Sequence, residues 1–158
     1  NYLAEFTDLD QVWMVVTPHN PLKDKATLLS DFHRLALVKE AIIDNPKLKA
    51  SDIEFHLPKP SYTVTTLTYL LEQFPQHEFA LIMGEDNLRT FHKWFNHEVI
   101  LAKHQIYKNH PNITFCNDAP VMKVSSSFIR QSIKEGKDVR YLLTEPAHQY
   151  IEEMHFYK

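Results

Sequence analysis

The period of the apolar positions switches repeatedly along the chain, and each switch marks an element. Residues 11–17, Gln-Val-Trp-Met-Val-Val-Thr, form an almost unbroken apolar, β-branched run that stops at Pro18, the pattern of a strand buried on both faces. Beyond a polar loop carrying Asn20, Lys23 and Lys25, the positions Phe32, Leu35, Ala36, Val38, Ile42 and Ile43 recur at helical spacing, with Ser30 or Asp31 as cap. Ser51 to Leu57 alternates, Ile53 and Phe55 against polar neighbours, and predicts a second strand broken by Pro58 and Pro60. Ser61 or Thr63 then opens a helix carried by Val64, Leu67, Leu70, Leu71 and Phe74. Phe79 to Met83 predicts another buried strand, closed by Gly84 and followed by a helical stretch through Trp94 and another from His97 to Lys103. Gln105 to Tyr107 and Ile113 to Cys116 read as strand fragments, and Ser125 to Glu135 as a helix stopped by Gly136. A last amphipathic helix runs from about Glu145 to His155, and residues 1–6 read as the tail of a helix.

Strands alternating with helices predict an α/β fold, a Rossmann-like doubly wound parallel sheet in which ligands sit beyond the carboxyl ends of the strands. A chain of 158 residues with 44% hydrophobic positions is long enough for one ordinary core, so a single domain spanning 1–158 is expected. The net charge of −3 and pI near 6.4 give no general basic field. We therefore expect no nucleic-acid partner, and any phosphate site must be local. The single cysteine, Cys116, excludes an internal disulfide framework and fits a reducing compartment, the cytoplasm. No apolar run approaches the roughly 18 residues of a membrane span, and no charged-then-apolar leader opens the chain, so a soluble, non-exported protein with no membrane partner is expected. The ten histidines show no compact ligand spacing, and no metal site is expected among the side chains. Two glycines stand where ordinary usage would supply about eleven, which argues against a glycine-rich phosphate loop within these residues.

The densest chemistry lies in Val124-Ser125-Ser126-Ser127-Phe128-Ile129-Arg130. Three hydroxyls open a helix whose first turn or so contains an arginine, and a cation there opposes the macrodipole. An anion reverses the sign: free backbone N–H groups, serine hydroxyls and a guanidinium fork together suit a polyphosphate. A serine cap followed by a solvated arginine is the plainer alternative. Gly84-Glu85-Asp86-Asn87 follows a buried strand, where Gly84 permits close approach of an adenosine and Asp86 binding of a hydroxyl, or where an Asp or Asn merely caps the next helix. Pro60-Ser61-Tyr62-Thr63 offers hydroxyls and amides at a helix start to a carboxylate or phosphate, again with capping as the alternative. Trp94 has the flat face to stack on a heteroaromatic ring, or it packs in the core. Asn20, Lys23 and Lys25 offer polar and positive groups to phosphates, or form a solvated loop.

Taken in order, these segments resemble the nicotinate mononucleotide adenylyltransferases of the histidine-x-glycine-histidine nucleotidyltransferase superfamily. Ser125-Ser126-Ser127-Phe128-Ile129-Arg130 is similar to that family's ATP-phosphate motif, Ile-Ser-Ser-Thr-x-Ile-Arg, with Val124 for the isoleucine and Ser127 for the threonine. Leu81-Ile82-Met83-Gly84-Glu85-Asp86 resembles its adenosine-holding strand and Gly-x-Asp turn. Pro60-Ser61-Tyr62-Thr63, backed by Thr66-Leu67, resembles its pyridine-nucleotide segment, Trp94 its nicotinate-side aromatic, and Asn20-Pro21-Leu22-Lys23 the loop after its second strand. The likeness covers essentially the whole chain.

The resemblance implies ATP and nicotinate mononucleotide as ligands, with Mg2+ accompanying ATP. It implies ATP contacts from Gly84, Asp86, Ser125, Ser126, Ser127 and Arg130, the last also catalytic, and mononucleotide contacts from Asn20, Lys23, Ser61, Tyr62, Thr63 and Trp94. The family's first strand and its Gly-x-Phe-x-Pro-x-His-x-Gly-His loop, which carries the main catalytic histidines, are expected upstream of Asn1. A longer loop is usual where Tyr107 meets Lys108, so additional residues are expected there. A phosphopantetheine adenylyltransferase of the same superfamily, or a nucleotide-binding module without catalysis, are the alternatives. A homo-oligomer is compatible with the sequence and not decided by it.

Overall fold

β1 (Val12–Val15) and β2 (Leu48–Ser51) pair in parallel, with Val12 opposite Leu48 and Val15 opposite Ser51. The ladder continues at both ends, where Val12 N–H donates to the Lys47 carbonyl at 2.8 Å and Val16 N–H to the Ser51 carbonyl at 2.9 Å. A parallel pair needs a crossover, and here it contains α2 (Asp31–Ala41). The computed structural model in which these elements are seen describes residues 1–18, 29–104, 106–107 and 124–158. Its residues fall into two compact units interleaved along the chain, one built from Asn1–Val16, Ala26–Asp52 and Pro120–Lys158, the other from Thr17–Lys25 and Ile53–Ala119.

In the first unit, a short α1 (Tyr2–Phe6) precedes β1. The side chains of β1 are half-buried rather than enclosed on both faces. Among the described residues β2 alone flanks it, and full burial begins only at Val16. α2 starts where its cap was expected, the Ser30 hydroxyl accepting from His33 N–H. α6 (Ser126–Lys134) and α7 (Glu145–Glu153) complete the unit. α6 ends at Gly136, whose φ of +70° is a left-handed conformation that glycine adopts without steric cost. α7 carries Pro146 in its first turn, where a missing N–H costs nothing. Ile133, Val139 and Ile151 form the core, with Leu37, Ile129, Leu143, Phe156 and Tyr157 packed around them.

In the second unit, the strand expected over Ser51 to Leu57 is not formed. β2 lies earlier, over Leu48–Ser51, and Ile53–His56 is a 3-10 turn that buries two consecutive residues, Ile53 and Glu54. Alternation of only two apolar positions fits either geometry; the β1 pairing, which ends at Ser51, decides it. α3 (Thr63–Gln73) follows, then β3 (Leu81–Ile82), α4 (Glu85–Thr90), a 3-10 turn at Phe91–Lys93, α5 (His97–Lys103) and β4 (Ile106–Tyr107). β3 and β4 pair in parallel, Leu81 opposite Ile106 and Ile82 opposite Tyr107. Leu67, Met83, Phe91, Ile100 and Ile106 form this unit's core. The strand read at Ile113 to Cys116 and the junction to Lys108 lie outside the described residues. Among the described residues, no helix is long and apolar enough to cross a membrane.

Candidate functional site

α6 begins as its hydroxyl run predicts. Ser125 is the cap, its Oγ accepting from Phe128 N–H at 3.1 Å, while Ser126 and Ser127 form the exposed first turn. No acidic residue occupies that turn. Arg130 is half-exposed and donates to Ser127 Oγ at 3.1 Å; among the described residues it has no carboxylate partner. The guanidinium is therefore held one turn into the helix by a neutral hydroxyl, so its charge and that of the helix N-terminus are left uncompensated together. The same positive region reaches Tyr157. Burial pushes that phenol's pKa up from its ordinary value, and the Arg130 and Arg34 charges pull against the shift.

The second unit holds the other candidates. Gly84 is the N-cap residue of α4 with an ordinary φ of −75°, so its value here is space rather than conformational freedom. A Cβ on Gly84 would lie 2.6 Å from Asp86 Oδ1, which shows that the carboxylate folds back over the glycine. Asp86 is exposed and sits inside α4, and no side chain caps that helix. The capping alternative for Asp86 is thus not the one adopted.

At Pro60 to Thr63 the capping alternative also fails. Tyr62 is the N-cap residue of α3, no side chain caps the helix, and Thr63 is its first residue. Ser61 Oγ is shut off from solvent with no hydrogen-bond partner, an expense normally avoided for a buried hydroxyl. The Tyr62 ring packs on Phe95 with centroids 4.8 Å apart. Trp94 is partly buried, packed against the core with its ring centroid 5.4 Å from that of Phe91, so part of the indole is committed to the fold. Asn20 and Lys23, with Lys25, lie outside the described residues.

One buried group escaped sequence reasoning. Glu54 is 7% exposed and its Oε1 accepts from Thr66 Oγ1 at 2.8 Å. The two-residue alternation had turned this carboxylate outward, and only the short span between two prolines and Ser51 hinted at a turn. Among the described residues, no group of three or more His, Cys, Asp or Glu side chains is placed to hold a metal ion.

Residues 3–132 match the family described as cytidylyltransferase-like. A Flavobacterium johnsoniae protein named "Probable nicotinate-nucleotide adenylyltransferase" is 56% identical over 172 aligned positions that take in all of this chain and 89% of the relative. A Flavobacterium psychrophilum protein of the same name is 53% identical, with the same shares of the two chains aligned. Among solved structures, Plasmodium falciparum nicotinic acid mononucleotide adenylyltransferase complexed with NaAD superposes with a TM-score of 0.66 at 20% identity, covering 98% of this chain and 87% of that one. That likeness carries the fold, the nucleotidyltransferase variant of the α/β class expected from the alternation of elements.

Proposed function

Because the chain belongs to the cytidylyltransferase-like family and, within it, to the nicotinate-nucleotide adenylyltransferases, we propose that it transfers the adenylyl group of ATP to nicotinate mononucleotide. The mononucleotide's 5′-phosphate oxygen attacks the α-phosphorus, the bond to the β-phosphate oxygen breaks, and nicotinate adenine dinucleotide and pyrophosphate form, a step of NAD biosynthesis. The observation that carries this reading is 56% identity maintained across the whole chain.

The residue roles follow from local chemistry. The leaving pyrophosphate gathers negative charge, and the start of α6 offers it unpaired N–H groups, the Ser125, Ser126 and Ser127 hydroxyls, and the Arg130 fork. Gly84 and Asp86 serve the adenosine, the bare glycine leaving room and the carboxylate accepting from a ribose hydroxyl. Ser61, Tyr62 and Thr63 serve the pyridine mononucleotide, supported by the uncapped start of α3 and the unpartnered Ser61 hydroxyl. Trp94 supplies an aromatic face to the nicotinate ring, and Asn20 and Lys23 contact the mononucleotide. Mg2+ enters as part of the substrate, bound to ATP phosphates. The single cysteine supports a cytoplasmic setting.

The test is pyrophosphate release by the full-length protein with ATP and Mg2+, comparing nicotinate mononucleotide, nicotinamide mononucleotide and phosphopantetheine. Strong preference for the nicotinate compound is expected. Preference for phosphopantetheine would reassign the substrate, and no release from folded protein that binds ATP would reduce it to a binding module.

A further inference from the structure

Among the described residues, two buried side-chain oxygens lack any hydrogen-bond partner, Glu54 Oε2 and Ser61 Oγ, and both lie in the stretch that leads into α3. Glu54 is the harder to explain. A buried carboxylate with one oxygen unsatisfied destabilises a fold relative to an apolar residue of similar size, so packing alone does not account for it. Its bonded oxygen points to a purpose. Thr66 Oγ1 lies 2.8 Å from Glu54 Oε1 and 3.3 Å from the Tyr62 carbonyl. A hydroxyl has one proton, and the shorter contact to the carboxylate takes it. Thr66 N–H meanwhile donates to the Tyr62 carbonyl at 3.1 Å, as does Thr65 N–H at 2.9 Å. Thr66 is itself 5% exposed, so this arrangement has no solvent to compete with it. Glu54 thus grips the first turn of α3 through Thr66, one step behind the segment that carries Ser61, Tyr62 and Thr63.

We propose that Glu54 is a positioning residue for the pyridine mononucleotide: through Thr66 it fixes the start of α3, and with it the Ser61–Thr63 segment, in the geometry that receives that substrate. The inference rests on the functional reading above and adds to it a residue that touches neither ligand. The Glu54 carboxylate is tied to the first turn of α3 by the Thr66 hydroxyl. That placement orders the turn without occupying its exposed N–H groups. Binding of the mononucleotide then finds a pre-formed segment and does not have to order one.

The experiment uses the full-length enzyme and four substitutions, Glu54→Leu, Glu54→Gln, Thr66→Val and Thr66→Ser, with KM and kcat measured for each substrate separately and thermal unfolding alongside. Glu54→Leu and Thr66→Val each remove the O–H···O contact and are expected to raise KM for nicotinate mononucleotide about tenfold, with KM for ATP within about twofold. Glu54→Gln and Thr66→Ser each keep an acceptor or a hydroxyl in place and are expected to stay within about threefold of wild type. Thermal unfolding of Glu54→Leu should be unchanged or shifted upward, since an orphaned buried oxygen has been removed. Should Glu54→Leu not fold, the Thr66 pair carries the same comparison. Equal changes in both KM values, no change in either, or failure of Thr66→Ser to restore substrate affinity would overturn the positioning role. A wild-type enzyme that does not use nicotinate mononucleotide would instead sink the functional reading, and this inference with it.

Discussion

Arg130, one turn into α6, is an unfavourable choice so near a helix N-terminus unless something negative comes to meet it. Its bond to Ser127 spans three residues on a half-exposed helix face, a contact worth at most about 0.5 kcal/mol. Arg130→Ala should therefore leave thermal stability almost untouched while turnover falls about 10²- to 10³-fold, the usual cost of losing a donor aimed at developing charge. Unchanged turnover would remove Arg130 from the reaction. Tyr157 offers a second test through pH. Burial holds its phenol neutral to higher pH than in the unfolded chain, against the pull of Arg130 and Arg34. The unfolded tyrosine ionises first, near pH 10, so its contribution to stability is full below about pH 10 and is lost as pH rises through the raised folded pKa. Tyr157→Phe should accordingly lose stability less steeply above about pH 10 in denaturant titrations; identical slopes would show that the phenol ionises as freely in the fold as out of it. The Arg130 anomaly was legible in the sequence because charge and helix end are neighbours there. Glu54 was not, because its burial depends on where a strand stops, and that is set by residues some forty positions away.

The same contrast holds for whole elements. α6 was expected over Ser125 to Glu135 and forms over Ser126–Lys134 between its Ser125 cap and Gly136. The start and stop signals are both local backbone chemistry that a short stretch of sequence contains in full. The strand expected over Ser51 to Leu57 moved to Leu48–Ser51 because a parallel pair is made by its partner, and Val12 to Val15 choose the register. The local character of α6 allows its two tasks to be separated. Asp caps a helix about as well as Ser, and its charge complements the macrodipole by a few tenths to about 1 kcal/mol. Ser125→Asp should hold or raise the melting temperature. It should also raise KM for ATP about tenfold, because a fixed carboxylate then repels the polyphosphate that the reading places at this helix start. Full ATP affinity in a stable Ser125→Asp enzyme would show that the pyrophosphate does not sit at α6.

At the scale of the molecule, the order of the segments pointed to the family, and the Flavobacterium johnsoniae relative is 56% identical across the entire chain. The alignment with the Flavobacterium johnsoniae relative runs over 172 positions against 158 residues here; the junction of Tyr107 and Lys108, where additional residues are expected, lies partly outside the described residues. The division into two compact units was not legible, because the alternation of strands and helices is continuous through both. Neither unit is a contiguous piece. The first takes its residues from three stretches, and the chain leaves it at Asp52 and returns only at Pro120. If the second unit melted alone, the first would have to hold closed a flexible loop of that length, at a cost of about 4 kcal/mol. Half of a domain this size supplies only a few kcal/mol of net stability, so that half-folded state is expected to stay unpopulated. Calorimetry should therefore show one transition, with the calorimetric enthalpy equal to the van't Hoff enthalpy. Two resolved transitions would mean that each unit closes its own loops at no loss, and that the chain contains two domains where the single-domain reading has one.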